Sequence, residues 1–87
     1  MGQHVMPLID AGKVGFRSGL YMASADEIYI KVIGKGGHGA HPHQNIDPVY
    51  ISAQIITQLQ SVVSRHAKPS TPSVLSIGKV IANGATN

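Results

Sequence analysis

One segment of helical period, fenced by proline at both ends, sets the limits on what this chain can build. Asp47-Pro48 opens it, and Lys68-Pro69-Ser70-Thr71-Pro72-Ser73 closes it. Asp47 is a good N-cap, because its carboxylate can accept from the free N–H groups of a first helical turn. Pro48 suits the first helical position, where no N–H is needed. Between the breaks Ser52, Ile55, Ile56, Leu59, Val62, Val63 and His66 recur at three- and four-residue steps. The spacing predicts one helix running to about Arg65 with a single apolar stripe, and with Gln54, Gln58 and Ser61 facing out.

Ahead of the helix, Glu27-Ile28-Tyr29-Ile30-Lys31-Val32-Ile33 alternates, with Ile28, Ile30 and Val32 on one face and Tyr29 and Lys31 on the other. Its β-branched residues predict a strand. Val74 to Ile81 reads as a second strand, interrupted by Gly78. Strand, helix and strand imply a right-handed crossover joining two parallel strands. Two strands and one helix cannot enclose a core. The expected fold class is therefore α+β: a partial ferredoxin-like domain, the βαβ half of βαββαβ, with an N-terminal extension. An antiparallel strand from elsewhere would sit between the two seen here, and the open sheet edges would invite pairing with another chain.

Length agrees with that reading. Eighty-seven residues make one domain at most, marginal unless it packs on a partner. With no cysteine, disulfides and Cys-based zinc sites are excluded. The formal charge of +3 comes from scattered positives (Lys13, Arg17, Lys31, Lys35, Arg65, Lys68, Lys79) and not from one basic face, so nucleic acid is not an expected partner. A hydrophobic content of 43 % is too high for a disordered tail. No stretch is apolar enough to span a membrane, and Met1-Gly2-Gln3-His4 lacks the regions of a signal peptide. A soluble cytoplasmic chain is the default. Residues 10–25 carry Gly12, Gly15 and Gly19 and read as linker or loop, and both ends read as cut from a longer protein.

The chemistry concentrates in Gly34-Lys35-Gly36-Gly37-His38-Gly39-Ala40-His41-Pro42-His43, which holds three of the five histidines and no acid. It matches G-x-G-x-x-G, but a dinucleotide site needs its helix to begin at the glycines. Here the helix starts eight residues after Gly39. No Gly-Lys-Ser/Thr closes a phosphate loop. Gly34-Lys35-Gly36-Gly37 also matches the RNA-binding GxxG, which should join two helices rather than leave a strand. His38, His41 and His43 could be zinc ligands, yet no carboxylate accompanies them and Pro42 limits their convergence. A histidine-rich surface loop is the plainer reading of the spacing. Four glycines in six residues permit positive φ and close backbone approach, placing His38 on an exposed, adaptable tip. A histidine there can donate to a developing oxyanion or act as acid or base. The four acids, Asp10, Asp26, Glu27 and Asp47, complete no catalytic set with it, so the chain alone is expected to be inert.

Gly2-Gln3-His4-Val5, Gly15-Phe16-Arg17-Ser18-Gly19, Met22-Ala23-Ser24-Ala25-Asp26-Glu27, Gly34 to Ala40, Pro42-His43 and Ile46-Asp47-Pro48 together resemble the M20 metallopeptidase family. The resemblance is to its amidohydrolase subfamily, the hippurate, N-acyl-amino-acid and auxin-conjugate hydrolases, and covers nearly the whole chain. It implies a catalytic domain with two divalent metal ions, zinc or manganese, and an inserted ferredoxin-like lid that dimerises. Such enzymes hydrolyse amide bonds with a metal-activated water. Residues 1–25 then correspond to the end of a catalytic segment and linker, and 26–87 to the first half of the lid. The resemblance puts His4 on a metal-ligand position and His38 on the lid histidine that reaches the partner subunit's active site as catalytic and substrate-binding residue. It puts Asn87 on a substrate-binding asparagine. The family's Cys-Gly-His-Asp and Glu-Glu motifs are absent from these residues, so this chain alone is expected to bind no metal.

The expectation is thus part of an amidohydrolase acting on N-acyl-amino acids or small peptides, dimerising through a lid sheet edge and helix. The alternatives are a non-enzymatic ferredoxin-like interaction module and an RNA-binding GxxG module.

Overall fold

The structure is a computed structural model, and it describes residues 2–85. Its main element is the helix α1, Pro48–Ser61. Asp47 caps it as the sequence predicts: Asp47 Oδ1 accepts from the N–H of Val49 at 2.8 Å and of Tyr50 at 3.1 Å. Two of the N–H groups that no helical turn can satisfy are thereby bonded. Asp47→Ala should cost about 1 kcal/mol of helix stability, read as lost helical circular dichroism. An unchanged signal would show that Pro48 alone fixes the start.

Past Ser61 the chain winds into a π-type turn, Val62–His66, closed by the Ala67 N–H donating to Val62 O at 2.8 Å. The helical region therefore ends where the sequence predicts. The stripe on it is shifted. Ile51, Ser52, Ile55, Ile56, Leu59 and Val63 are half-buried, but Val62 and His66 are exposed and Ser61 is half-buried. A wider turn changes the angular step per residue, so the apolar stripe drifts off its α-helical register. Ser52 sits in the stripe without penalty because its hydroxyl donates to Pro48 O at 2.6 Å. Beyond the break, Ser73–Leu75 returns beside Gln60, Val63 and Ser64.

The expected βαβ arrangement does not form. No strand ladder is present among the described residues, whose β pairing is a single antiparallel bridge between Lys35 and Ile46. Neither Glu27–Ile33 nor Val74–Ile81 is a strand, so the ferredoxin-like half-domain and the sheet edge expected to pair subunits are both corrected. A strand exists only through hydrogen bonds to a neighbour. Alternation in sequence reports a face suited to a sheet and says nothing of where its partner lies. Within the first run the alternation survives locally: Tyr29 OH donates to Glu27 Oε2 at 2.7 Å, two residues away. That bond, more than any burial, raises the pKa of the exposed Tyr29 phenol.

No residue among those described is buried. The radius of gyration is 20.5 Å, against about 12 Å for a compact domain of this length. Ile28 is 80 % exposed and Val74 89 %. The fold is a capped helix with apolar arms that lack cover.

Candidate functional site

The glycine-histidine segment is a closed loop set against the start of α1. The Lys35 N–H donates to Ile46 O and the Ile46 N–H to Lys35 O, both at 3.0 Å. This reciprocal pair clamps residues 36–45 into a loop. Gly34 lets the clamp approach the helix: a Cβ there would overlap Ile46 O and stand 2.6 Å from Pro48 Cδ. Close approach, not backbone handedness, is what glycine supplies here. Positive φ among the described residues is confined to Gly12 and Gly19, outside the loop, which corrects half of the expectation for these glycines.

Inside the clamp the tip is tied, not adaptable. The His41 N–H donates to His38 O at 2.9 Å. A short 3-10 turn, Pro42–Gln44, follows, with the Gln44 N–H on His41 O at 3.0 Å. The Ala40 N–H donates to His38 Nδ1 at 3.0 Å. A ring nitrogen that accepts from a backbone N–H carries no proton, so the neutral imidazole of His38 holds its proton on Nε2. His38 is thereby set up as an exposed Nε2–H donor.

The other histidines stack edge to face. The His38 and His41 centroids lie 5.2 Å apart at 60°, and those of His41 and His43 lie 5.9 Å apart at 85°. Among the described residues no three histidines or carboxylates are grouped to hold a metal ion. His4 belongs to no such group; its Nδ1 lies 2.6 Å from the carbonyl of the adjacent Val5. Asn87 lies outside the described residues. The GxxG stretch leaves an extended arm and joins no two helices, so the RNA-binding context is missing.

Sequence reasoning missed Asn45. Its Nδ2 donates to His38 O at 3.1 Å across seven residues. The available signal was Gly37, whose missing side chain leaves room for the Asn45 amide.

Residues 24–87 match the family described as Peptidase dimerisation domain, M20_dimer. The chain belongs to this M20 peptidase dimerisation family. It is 46 % identical over 87 residues to the N-acyl-L-amino acid amidohydrolase of Geobacillus stearothermophilus, covering 100 % of this chain and 24 % of that protein. It is 38 % identical over 87 residues to the N-acetyldiaminopimelate deacetylase of Bacillus cytotoxicus, covering 100 % of this chain and 23 % of that protein. No solved structure matches it. The chain thus spans about a quarter of the length of these curated relatives, which are hydrolases. M20 amidohydrolases are in general metal-dependent, and the described residues of this M20 chain do not by themselves form a metal centre, since no three histidines or carboxylates among them are grouped. No helix among the described residues is long and apolar enough to cross a membrane.

Proposed function

We propose that this M20 chain is part of a metal-dependent amidohydrolase that cleaves N-acyl-amino acids or small peptides in the cytoplasm. The observation that carries the reading is the 46 % identity to an N-acyl-L-amino acid amidohydrolase along the whole chain, on both sides of residue 24. Residues 1–25 belong to the end of a catalytic segment and linker, and 26–87 to the dimerisation region. His4 supplies one metal ligand, and the rest of the metal set comes from outside these 87 residues.

His38 supplies the donor. In the homodimer it reaches the partner's active site and hydrogen-bonds the scissile carbonyl oxygen through Nε2–H. Its tied Nδ1 supports this role, since it leaves Nε2 of an exposed ring to carry the proton. The helix stripe and the uncovered apolar arms supply the surface on which subunits and the remainder of the protein pack. Asn87 helps hold the substrate.

The test uses the full-length protein with zinc or manganese and a panel of N-acyl-amino acids. Release of the free amino acid is expected, and its loss on chelation. The 87-residue chain with the same metals should release none. A full-length protein inert on the whole panel, or turnover by the short chain alone, would sink the reading.

A further inference from the structure

We infer that Asn45 is a positioning residue for His38, fixing the backbone that carries the proposed donor. The inference rests on the assignment of His38 made above and adds the residue that orients it.

The carbonyl of His38 accepts from two donors, the His41 N–H at 2.9 Å and Asn45 Nδ2 at 3.1 Å. Both of its lone pairs are occupied. The first bond is local and closes a turn. The second crosses the loop and ties its far end to its tip. The amide orientation follows from the chemistry, because an oxygen turned toward the His38 carbonyl would be repelled. The amide oxygen then points at Gly37. A Cβ on Gly37 would overlap Asn45 Oδ1 and stand 2.9 Å from Cγ. Glycine at 37 and asparagine at 45 therefore fit as a pair.

Asn45 is also half-buried, while residues 36–44 are all exposed. Its own N–H donates to Pro42 O at 3.1 Å, and the next residue is clamped to Lys35. The order of fixation runs from the Lys35–Ile46 bridge to Asn45, to the His38 carbonyl, and to the His38 ring through the Ala40 N–H. A donor aimed at a developing charge works only while its position is held, and small misplacements are costly.

The decisive variant is Asn45→Asp in the full-length, metal-loaded enzyme. It is nearly isosteric, and it replaces the N–H donor with a charged carboxylate oxygen that repels the His38 carbonyl in place of bonding it. kcat should fall about tenfold, with KM within about twofold and an unchanged thermal midpoint. A merely structural role would move the midpoint instead. Gly37→Ala should also lower kcat. Combined with Asn45→Ala, it should cost less than the product of the two single effects, because truncating the amide makes room for the methyl. Amide hydrogen exchange supplies a readout besides turnover: in Asn45→Asp the Ala40 and His41 amides should exchange faster while α1 does not change. Wild-type kcat in Asn45→Asp with an impaired His38→Ala, or strictly multiplicative effects of the pair, would overturn the positioning role alone. A normal kcat in His38→Ala would overturn the donor assignment and the positioning role together.

Discussion

His38→Ala in the full-length enzyme should lower kcat by roughly 10²–10³ and leave KM nearly unchanged, the pattern of a lost oxyanion donor. The argument turns on one proton. Imidazole has two nitrogens, and Nδ1 of His38 is occupied as an acceptor of the Ala40 N–H at 3.0 Å. The neutral ring must then donate through Nε2, the nitrogen that takes no part in that bond. Hydrogen bonds to a carbonyl strengthen as charge develops on its oxygen, so the loss falls on kcat more than on substrate binding. His38→Gln, which keeps an N–H donor, should recover part of the loss. His43→Ala should keep kcat within about twofold, since His43 is exposed and its ring stands against that of His41 at 5.9 Å. Steady-state kinetics on the three variants decide the matter. A near-normal kcat for His38→Ala would remove this histidine from the mechanism, and equal losses in His38→Ala and His43→Ala would point to loop disruption instead.

What could be read in the sequence was what is local. Asp47 and Pro48 act within one turn, so the start of α1 is written in adjacent residues. The helix end and its proline break are equally local; the π-type turn moved Val62 and His66 off the expected faces, and Ser61, the last residue of α1, is half-buried where an outward face was expected. Pairing across space was not legible. The Lys35–Ile46 bridge joins residues whose types carry no pairing signal, and the Asn45 tie depends on a loop conformation set by that bridge and the turns inside it. The strands failed for the same reason in reverse: Ile28, Ile30 and Val32 alternate as a strand should, but a ladder needs a second chain segment at hydrogen-bonding distance. His38 could be singled out from its glycine surroundings. Its tautomer could not, because that depends on where the Ala40 N–H points.

The 87-residue chain on its own should show no cooperative thermal transition. It exposes 8759 Å², whereas a folded monomer of 9.1 kDa exposes about 4,900 Å². If about half of the difference is apolar, roughly 50 kcal/mol of hydrophobic stabilisation is missing relative to a compact domain. Net folding free energies are only about 5–15 kcal/mol, so a deficit of that size leaves nothing to unfold as a unit. The capped helix cannot replace it, since a 14-residue helix is marginal in water without tertiary packing. Calorimetry should therefore give a flat trace in place of the ~60 kcal/mol transition of a folded domain of this size. Circular dichroism should show a shallow, broad loss of helix. A dye that reports exposed apolar surface should bind, because Leu8, Phe16, Leu20 and Val74 are each at least 89 % exposed. Joining the chain to the remainder of its protein should restore a sharp transition and abolish dye binding. A sharp transition in the 87-residue chain at a concentration where light scattering finds only monomer would show that these residues make their own core, and the apolar arms would then need no partner.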